Sequence, residues 1–174
     1  DWHRATKTPY EFELLKKAAE LGAEGHRVAR KAFESGGTER DIYWAFLEAS
    51  DALGKDVPFE PICAMNEKIA ILHYQNKRGQ ESANGQTFML DAGARYAGYC
   101  SDITRTWALD SAPKLYRSLL ESLDALERDL VSMVTPGRPY EEIHAETHRR
   151  VSLLLAETGL VNCSADEALS TGVT

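Results

Sequence analysis

The chain has 174 residues, of which 43% are apolar and 27% charged, a composition typical of a globular domain with a hydrophobic core. Its net charge of −7 argues against nucleic acid or an anionic membrane as a partner. No apolar run is long enough to cross a membrane and no signal-peptide pattern opens the chain, so we expect a cytoplasmic protein. The first residue is Asp1 rather than Met, and we expect the chain to be a piece of a longer protein.

Two helices are predicted in the first third of the chain. The first begins with a capping box and a proline at its first helical position, Thr8-Pro9-Tyr10-Glu11, and ends at Gly36-Gly37. Thr38 opens the second helix, and Pro58 marks the break after it. The apolar face of the second helix is made by Ile42, Ala45, Phe46, Ala49 and Leu53.

The middle of the chain, residues 61 to 107, has the character of β-structure. Turn-prone residues such as Asn84-Gly85 and Gly93 separate short apolar runs. The predicted strands are Pro61–Ala64, Ala70–Tyr74, Gln86–Asp91 and Tyr99–Trp107.

The last third of the chain returns to helical periodicity. A helix is predicted from about Pro113 to Val134, and its stripe of leucines from Leu115 to Leu130 is expected to be core. Another helix starts near Pro139, and the tail from Asn162 has no strong period. Residues 1–174 are therefore predicted to form one α+β unit, an antiparallel sheet flanked by helices.

Nucleophilic and redox chemistry have little support in this sequence. The chain has three widely spaced cysteines, Cys63, Cys100 and Cys163, and no C-x-x-C, which predicts reduced thiols rather than disulfides or a zinc knuckle. It also lacks the G-x-S-x-G, G-x-G-x-x-G and P-loop patterns.

The most informative residues are Asp91 and Asp102, which lie at the edges of two strand-like runs separated by a glycine-containing stretch. If the runs form a hairpin, the two carboxylates face each other across it, about 5 Å apart, and would repel without an intervening positive charge. Asp102, Thr104 and Thr106 alternate along the second run and share one oxygen-bearing face, which suits a hard cation. The alternative interpretation is a pair of turn or cap aspartates with Arg95 and Arg105 as counter-ions.

Three histidines are further candidate site residues. His73 ends an apolar run and is either a half-buried structural histidine or a hydrogen-bonding group facing the same cavity. His144 and His148 share a helix face and could hold one metal ion, but Glu146 does not follow the first histidine directly, as the zincin motif requires. Both are expected to be partly buried beside the apolar stripe.

The chain resembles the bacterial-type prolidases, or Xaa-Pro dipeptidases, of the pita-bread metallopeptidase family. The resemblance extends over essentially all 174 residues. It is carried most specifically by Phe88-Met-Leu-Asp91-Ala-Gly93 and by Gly98-Tyr-Cys-Ser-Asp102-Ile-Thr104-Arg-Thr106. Weaker matches are Ala70-Ile-Leu-His73-Tyr74, Pro136-Gly137 with Tyr140-Glu-Glu-Ile143-His144, and the segment from Ser164 to Gly172.

The resemblance implies the fold, activity and ligands of a dinuclear metallopeptidase. It implies a partial pita-bread (creatinase/aminopeptidase-like) fold, with the N-terminal half of the catalytic domain in residues 1–174. Asp91 and Asp102 would bind two divalent ions, expected to be Mn²⁺ with Co²⁺ or Zn²⁺ as alternatives, Thr104 would support them, and His73 would belong to the substrate pocket. The substrate would be a dipeptide with C-terminal proline and the parent protein a homodimer.

Two departures from the family pattern shape the remaining expectations. The family's N-terminal domain is expected to be missing, since residue 1 already lies near the start of the catalytic domain, and the second half of the site is expected to be missing as well. Nothing after Asp102 resembles the family's downstream histidine and glutamate ligands or its general base, so the chain alone is expected to be inactive. An Xaa-Pro aminopeptidase and a non-catalytic pita-bread binding module are the alternative functions.

Overall fold

The computed structural model describes residues 2–52, 57–77 and 85–173. Leu53 and Asn84, which the sequence places on a helix face and in a turn, lie outside these ranges. The chain divides into two compact units, residues 1–112 and residues 113–174.

The helices of the first unit begin where the capping signals predict. A short helix α1 (Trp2–Ala5) precedes α2 (Pro9–Glu34), and in α2 Thr8 and Glu11 form the capping box reciprocally. Helix α3 (Glu39–Ala49) has the same device, with Thr38 as the N-cap and Asp41 in the third position. These predictions of helix type and start are confirmed.

A three-stranded antiparallel sheet lies against these helices, in the order β1-β2-β5. Its strands are β1 (Ile62–Met65), the central β2 (Thr87–Ala92) and β5 (Ile103–Ala108). A two-stranded ribbon, β3 (Arg95–Tyr96) and β4 (Tyr99–Cys100), lies between β2 and β5 in the chain. The antiparallel sheet with flanking helices confirms the predicted α+β class.

Alternation along β2 divides its side chains between two environments. Phe88, Leu90 and Ala92 are fully buried in a core that also contains Phe33 and Phe46 of the helices. The intervening side chains, those of Met89 and Asp91, point to the opposite face and are half-buried. Asp91 thus follows an apolar run without entering the helix-facing core.

Two predicted strands differ from the structure. The run Ala70–Tyr74 is not a strand, because a 3₁₀ helix at Asn66–Ala70 is followed by a turn at residues 71–73. The run Tyr99–Trp107 is divided into β4 and β5, since the chain leaves the ribbon at Ser101 before it joins the main sheet.

The second unit consists of three helices, α4 (Lys114–Ser132), α5 (Tyr140–Glu157) and α6 (Ala165–Thr171). The prediction that the leucine stripe of α4 is core is wrong for Leu115, which is 46% exposed. Leu119, Leu123 and Leu126 are half-buried, and Leu130 is buried. Helix α6 was not predicted from periodicity. It is short, and its signals are local: the Ser164 side chain caps its start and Gly172 ends it in the left-handed conformation.

Among the described residues, none of the helices combines the length and the apolar character that crossing a membrane requires.

Candidate metal centre

The two aspartates and the histidine singled out from the sequence line one cavity of about 390 Å³ on the first unit. The remaining walls come from the segment before β1, from β1 itself and from the segment after the 3₁₀ helix. The lining residues are Phe59, Glu60, Ile62, His73, Gln75, Asp91 and Asp102. The structure therefore brings together His73, Asp91 and Asp102, which are up to 29 positions apart in the sequence.

Asp91 is held in the central strand, and one of its carboxylate oxygens accepts no hydrogen bond from the residues that the structure describes. Its backbone pairs with Ile62 on β1 and with Thr104 on β5. Its Oδ1 atom is buried and has no hydrogen-bond partner among the described residues. Buried carboxylate oxygens are normally hydrogen-bonded or bound to a cation, so this atom fits a metal ligand.

Asp102 reaches the cavity through a close contact between two backbone segments. The Ser101 amide donates to the Ala94 carbonyl at 2.9 Å, and the Ala94 amide donates to Ser101 Oγ at 3.0 Å. A Cβ atom on Gly93 would lie only 1.9 Å from the Ser101 carbonyl oxygen. The glycine therefore permits the approach that places Asp102 beside the end of β2.

The register of the hairpin corrects the expected geometry of the pair. Asp91 lies opposite Thr104 rather than opposite Asp102. Asp102 is exposed and precedes the first residue of β5, so the two aspartates are diagonal neighbours, a relation that spans about 7–8 Å in a regular ladder. Thr104 is directly across from Asp91 in the ladder but does not line the cavity, and its supporting role stays a prediction.

His73 projects from a turn with a left-handed backbone, at φ 54°. Its side chain is exposed, so the alternative of a half-buried structural histidine is wrong. The next residue, Tyr74, is 6% exposed and packs against Ile62 and Ala64. The buried tyrosine anchors the turn and leaves the histidine at the cavity.

A buried glutamate that the sequence did not single out fixes this turn to the sheet. Glu39, in the first turn of α3, has no exposed side-chain surface. It accepts hydrogen bonds from the Met65 amide at 3.0 Å, from Tyr74 Oη at 3.2 Å and from Lys68 Nζ at 3.3 Å. Its position after Thr38, within the capping box, resembles an ordinary first-turn acidic residue, which is why the sequence does not reveal it.

A second polar residue hidden from the sequence is His26 of α2, which lies behind the strand that carries Asp91. It is 4% exposed, with its Nε2 atom 3.4 Å from the Ala92 carbonyl oxygen and its ring against Phe46 and Trp107. Burial is the main cause that lowers the pKa of His26, because it disfavours the charged imidazolium. It supports the strand from the core side and does not line the cavity.

Glu60 is a third carboxylate on the cavity wall, but it is already paired. Lys77 Nζ lies 2.6 Å from Glu60 Oε1 and 3.1 Å from Gln75 Oε1, so one lysine holds two of the lining side chains. Within the described ranges no three His, Cys, Asp or Glu side chains converge as a metal-binding group. The side chains that line the cavity can therefore supply the carboxylate ligands of a metal site, but not a complete set of ligands.

The histidines of α5 do not form a zincin site. The imidazole of His144 is exposed and that of His148 half-buried, so partial burial is wrong for the first. Glu146 is bound by Arg149 and Arg150, and hydrogen bonds from these two arginines, chiefly Arg149, lower its pKa to about 2. A carboxylate of such low basicity is unsuited to act as a general base.

Comparison with known proteins identifies the family. The model of metallopeptidase family M24 matches residues 13–161. The Xaa-Pro dipeptidase of Aeromonas hydrophila is 39% identical over 175 aligned positions, which cover 99% of this chain and 39% of that protein. That of Shewanella amazonensis is 37% identical over 173 positions, with the same coverage of 99% and 39%.

Solved structures agree with the sequence relatives on the fold. Zinc-substituted Escherichia coli aminopeptidase P in complex with product has a TM-score of 0.80 at 26% identity, covering 96% of this chain and 38% of that one. Pseudomonas aeruginosa aminopeptidase PepP has a TM-score of 0.83 at 25% identity, with the same coverage of 96% and 38%.

The chain belongs to metallopeptidase family M24, a class whose members use divalent metal ions, and it has the pita-bread fold predicted from the resemblance. It spans 39% of the length of the Xaa-Pro dipeptidases it matches.

Proposed function

We propose that the protein to which this chain belongs is a dinuclear metal-dependent Xaa-Pro dipeptidase. The observation that carries the proposal is the cavity shared by Asp91 and Asp102, in which the buried Asp91 Oδ1 atom has no hydrogen-bond partner within the described ranges. The names of the sequence relatives supply the substrate class, a dipeptide that ends in proline. In this proposal residues 1–174 are the first half of the catalytic domain of a cytoplasmic, homodimeric enzyme.

In this proposal the residues in and beside the cavity have separate roles. Asp91 and Asp102 hold the metal ions, for which we favour Mn²⁺ because the available donors are oxygens, and Thr104 supports Asp91 from the neighbouring strand. When bound, the ions supply Lewis-acid polarisation of the scissile carbonyl and activation of water. His73 lines the same cavity, where an exposed imidazole can donate a hydrogen bond to the substrate.

Substitution in the full-length parent tests the metal assignment. Asp91→Asn and Asp102→Asn each remove one anionic ligand, and we expect Mn²⁺ affinity and Gly-Pro hydrolysis to fall by about 100-fold or more. Asp166→Asn, an exposed aspartate of α6, is the matched control and should change neither. Unchanged Mn²⁺ uptake in Asp102→Asn would instead support the interpretation of the pair as ordinary turn aspartates.

The chain of 174 residues makes a second, independent test. It offers two carboxylates where a dinuclear centre needs more ligands, so we expect weak Mn²⁺ binding and no Gly-Pro cleavage. Measurable hydrolysis by the purified chain would show that the catalytic set is already complete.

The structural neighbours support Xaa-Pro aminopeptidase activity as a second candidate, since both are aminopeptidase P enzymes with TM-scores of 0.80 and 0.83. Relative activity of the full-length parent on Gly-Pro and on a longer Xaa-Pro peptide separates the candidates. A parent that binds metal but cleaves neither substrate would favour the non-catalytic binding module.

A further inference from the structure

Helix α5 carries a pair of histidines whose ring nitrogens converge. His144 and His148 are one helical turn apart, and their Nε2 atoms are 3.2 Å apart. The rings are nearly perpendicular, with an interplanar angle of 79° and centroids 4.5 Å apart. Two nitrogens at this distance either share a hydrogen bond or bind the same cation.

The separation matches the bite of a chelated metal ion. Histidine nitrogens bind Zn²⁺ at about 2.0–2.1 Å, so two of them at angles between octahedral and tetrahedral lie about 2.9–3.4 Å apart. The observed 3.2 Å falls inside this interval without any movement of the helix. We propose that His144 and His148 form a two-imidazole binding site for a borderline divalent ion such as Zn²⁺, Ni²⁺ or Cu²⁺.

Neighbouring side chains orient the first ligand and leave it accessible. The Tyr140 ring lies one turn earlier on the same face and stacks on His144, with centroids 6.1 Å apart and an interplanar angle of 23°. His144 is exposed, so an ion can reach the pair from solvent. Glu146 is held by Arg149 and Arg150 and does not offer a third ligand.

Water completes the coordination shell, which sets both the strength and the selectivity of the site. No third metal-binding side chain converges on the pair within the described part of the chain, so binding is expected to be weak. Imidazole ligands favour Ni²⁺, Cu²⁺ and Zn²⁺ over Mn²⁺. An oxygen-lined site such as the Asp91 cavity discriminates less strongly against Mn²⁺.

The test uses the full 174-residue chain with Ni²⁺ as the probe. Isothermal titration calorimetry measures the Ni²⁺ affinity at pH 7.5, and ¹H–¹⁵N NMR spectra of the imidazoles report which histidines respond to the ion. We expect Ni²⁺ to perturb the Nε2 signals of both His144 and His148, while the calorimetric affinity for Mn²⁺ is unchanged in the His144→Ala/His148→Ala double variant. His144→Ala and His148→Ala should each lower Ni²⁺ affinity about tenfold or more, because a single imidazole cannot chelate.

Two controls separate chelation from loss of a histidine. His3→Ala removes an exposed histidine of α1 and should leave Ni²⁺ affinity unchanged. The double variant His148→Ala/Ala145→His keeps five histidines but places two at adjacent positions, which do not face each other on a helix, and should bind as weakly as His148→Ala. Circular dichroism verifies that each variant remains helical.

Equal Ni²⁺ affinity in the wild type and in the His144→Ala/His148→Ala double variant would overturn the proposal. So would full Ni²⁺ affinity in the variant with adjacent histidines, or Ni²⁺ signals confined to other histidines. Any of these results would identify the 3.2 Å contact as a hydrogen bond between imidazoles only.

Discussion

At the scale of single residues, Gly93 shows how one missing side chain positions a candidate ligand. A Cβ atom there would lie 1.9 Å from a backbone oxygen, and backbone cannot yield as the tip of a flexible side chain can. The requirement for glycine therefore comes from the close approach of two backbone segments, the end of β2 and the segment that ends at Asp102. It does not come from the backbone conformation of Gly93 itself.

Gly93→Ala is expected to destabilise the chain by about 3 kcal/mol or more and to displace Asp102, because the Ser101 carbonyl has to move. Urea unfolding measures the first effect and the backbone amide shifts of Ser101 and Asp102 the second. Gly98→Ala is the control: its Cβ would meet nothing within 4 Å, but its φ of +87° predicts a cost of about 1–2 kcal/mol. A smaller loss for Gly93→Ala than for Gly98→Ala would contradict the argument from contact.

The thiols of Cys63 and Cys100 should differ sharply in reactivity. Cys63 in β1 is fully buried, its Sγ donates to the Glu39 carbonyl oxygen at 3.2 Å, and burial is the main cause that raises its pKa. Cys100 in β4 is exposed. Because the thiolate is the reacting species, Cys100 should be modified by a disulfide reagent in the folded chain while Cys63 reacts only on unfolding. Cys100→Ser is the control, and rapid native-state labelling of that variant at Cys63 would contradict the prediction.

At the scale of elements, the Glu39 carboxylate connects three segments that are distant in sequence. It joins the start of α3 to the end of β1 and to the residues on either side of the His73 turn. Loss of the carboxylate leaves the Met65 amide and the Lys68 ammonium without this acceptor inside the fold, which is costly where water cannot replace it.

Glu39→Ala is expected to lower the free energy of unfolding by about 3 kcal/mol, and Glu39→Gln by less, because glutamine retains an acceptor of the same shape. Glu34→Ala, at the exposed end of α2, should cost less than about 1 kcal/mol. Denaturant titration of the three variants measures these differences. A cost for Glu39→Ala no greater than that for Glu34→Ala would show that the buried network contributes nothing to stability.

Local signals explain which elements could be predicted. The starts of α2 and α3 depend on capping boxes within four residues, so the sequence reveals them. His73 lies in a turn because the Tyr74 side chain is buried against β1 and bonded to Glu39, 35 positions earlier, a contact that no local pattern contains. The diagonal relation of Asp91 and Asp102 likewise depends on where the chain turns, because the turn at Ala97-Gly98 sets one register for both the β3–β4 ribbon and the β2–β5 pair.

At the scale of the whole molecule, burial is distributed unequally between the two units. The main core cluster, including Phe46 and Phe88, lies entirely within residues 1–112. Within the described part of residues 113–174, Leu130, Ser152 and Ala168 are the buried side chains, and Val131 and Val134 remain exposed. Segments with few buried apolar contacts open at lower free energy than the global transition.

Native-state hydrogen exchange should therefore divide the chain at about residue 112. Amides of β2, which pairs on both sides and is buried in the core, are expected to exchange about 10 to 100 times more slowly than helix-interior amides of α4 and α5. Comparison of the amide exchange rates at several low urea concentrations distinguishes sub-global from global opening. The interior of α2 serves as an internal control, because it is a helix and should nevertheless show the slow exchange of β2. Equal protection and equal urea dependence in β2, α4 and α5 would mean that residues 2–173 unfold as a single cooperative unit. In that case the greater burial in the first unit would not make it more stable than the second.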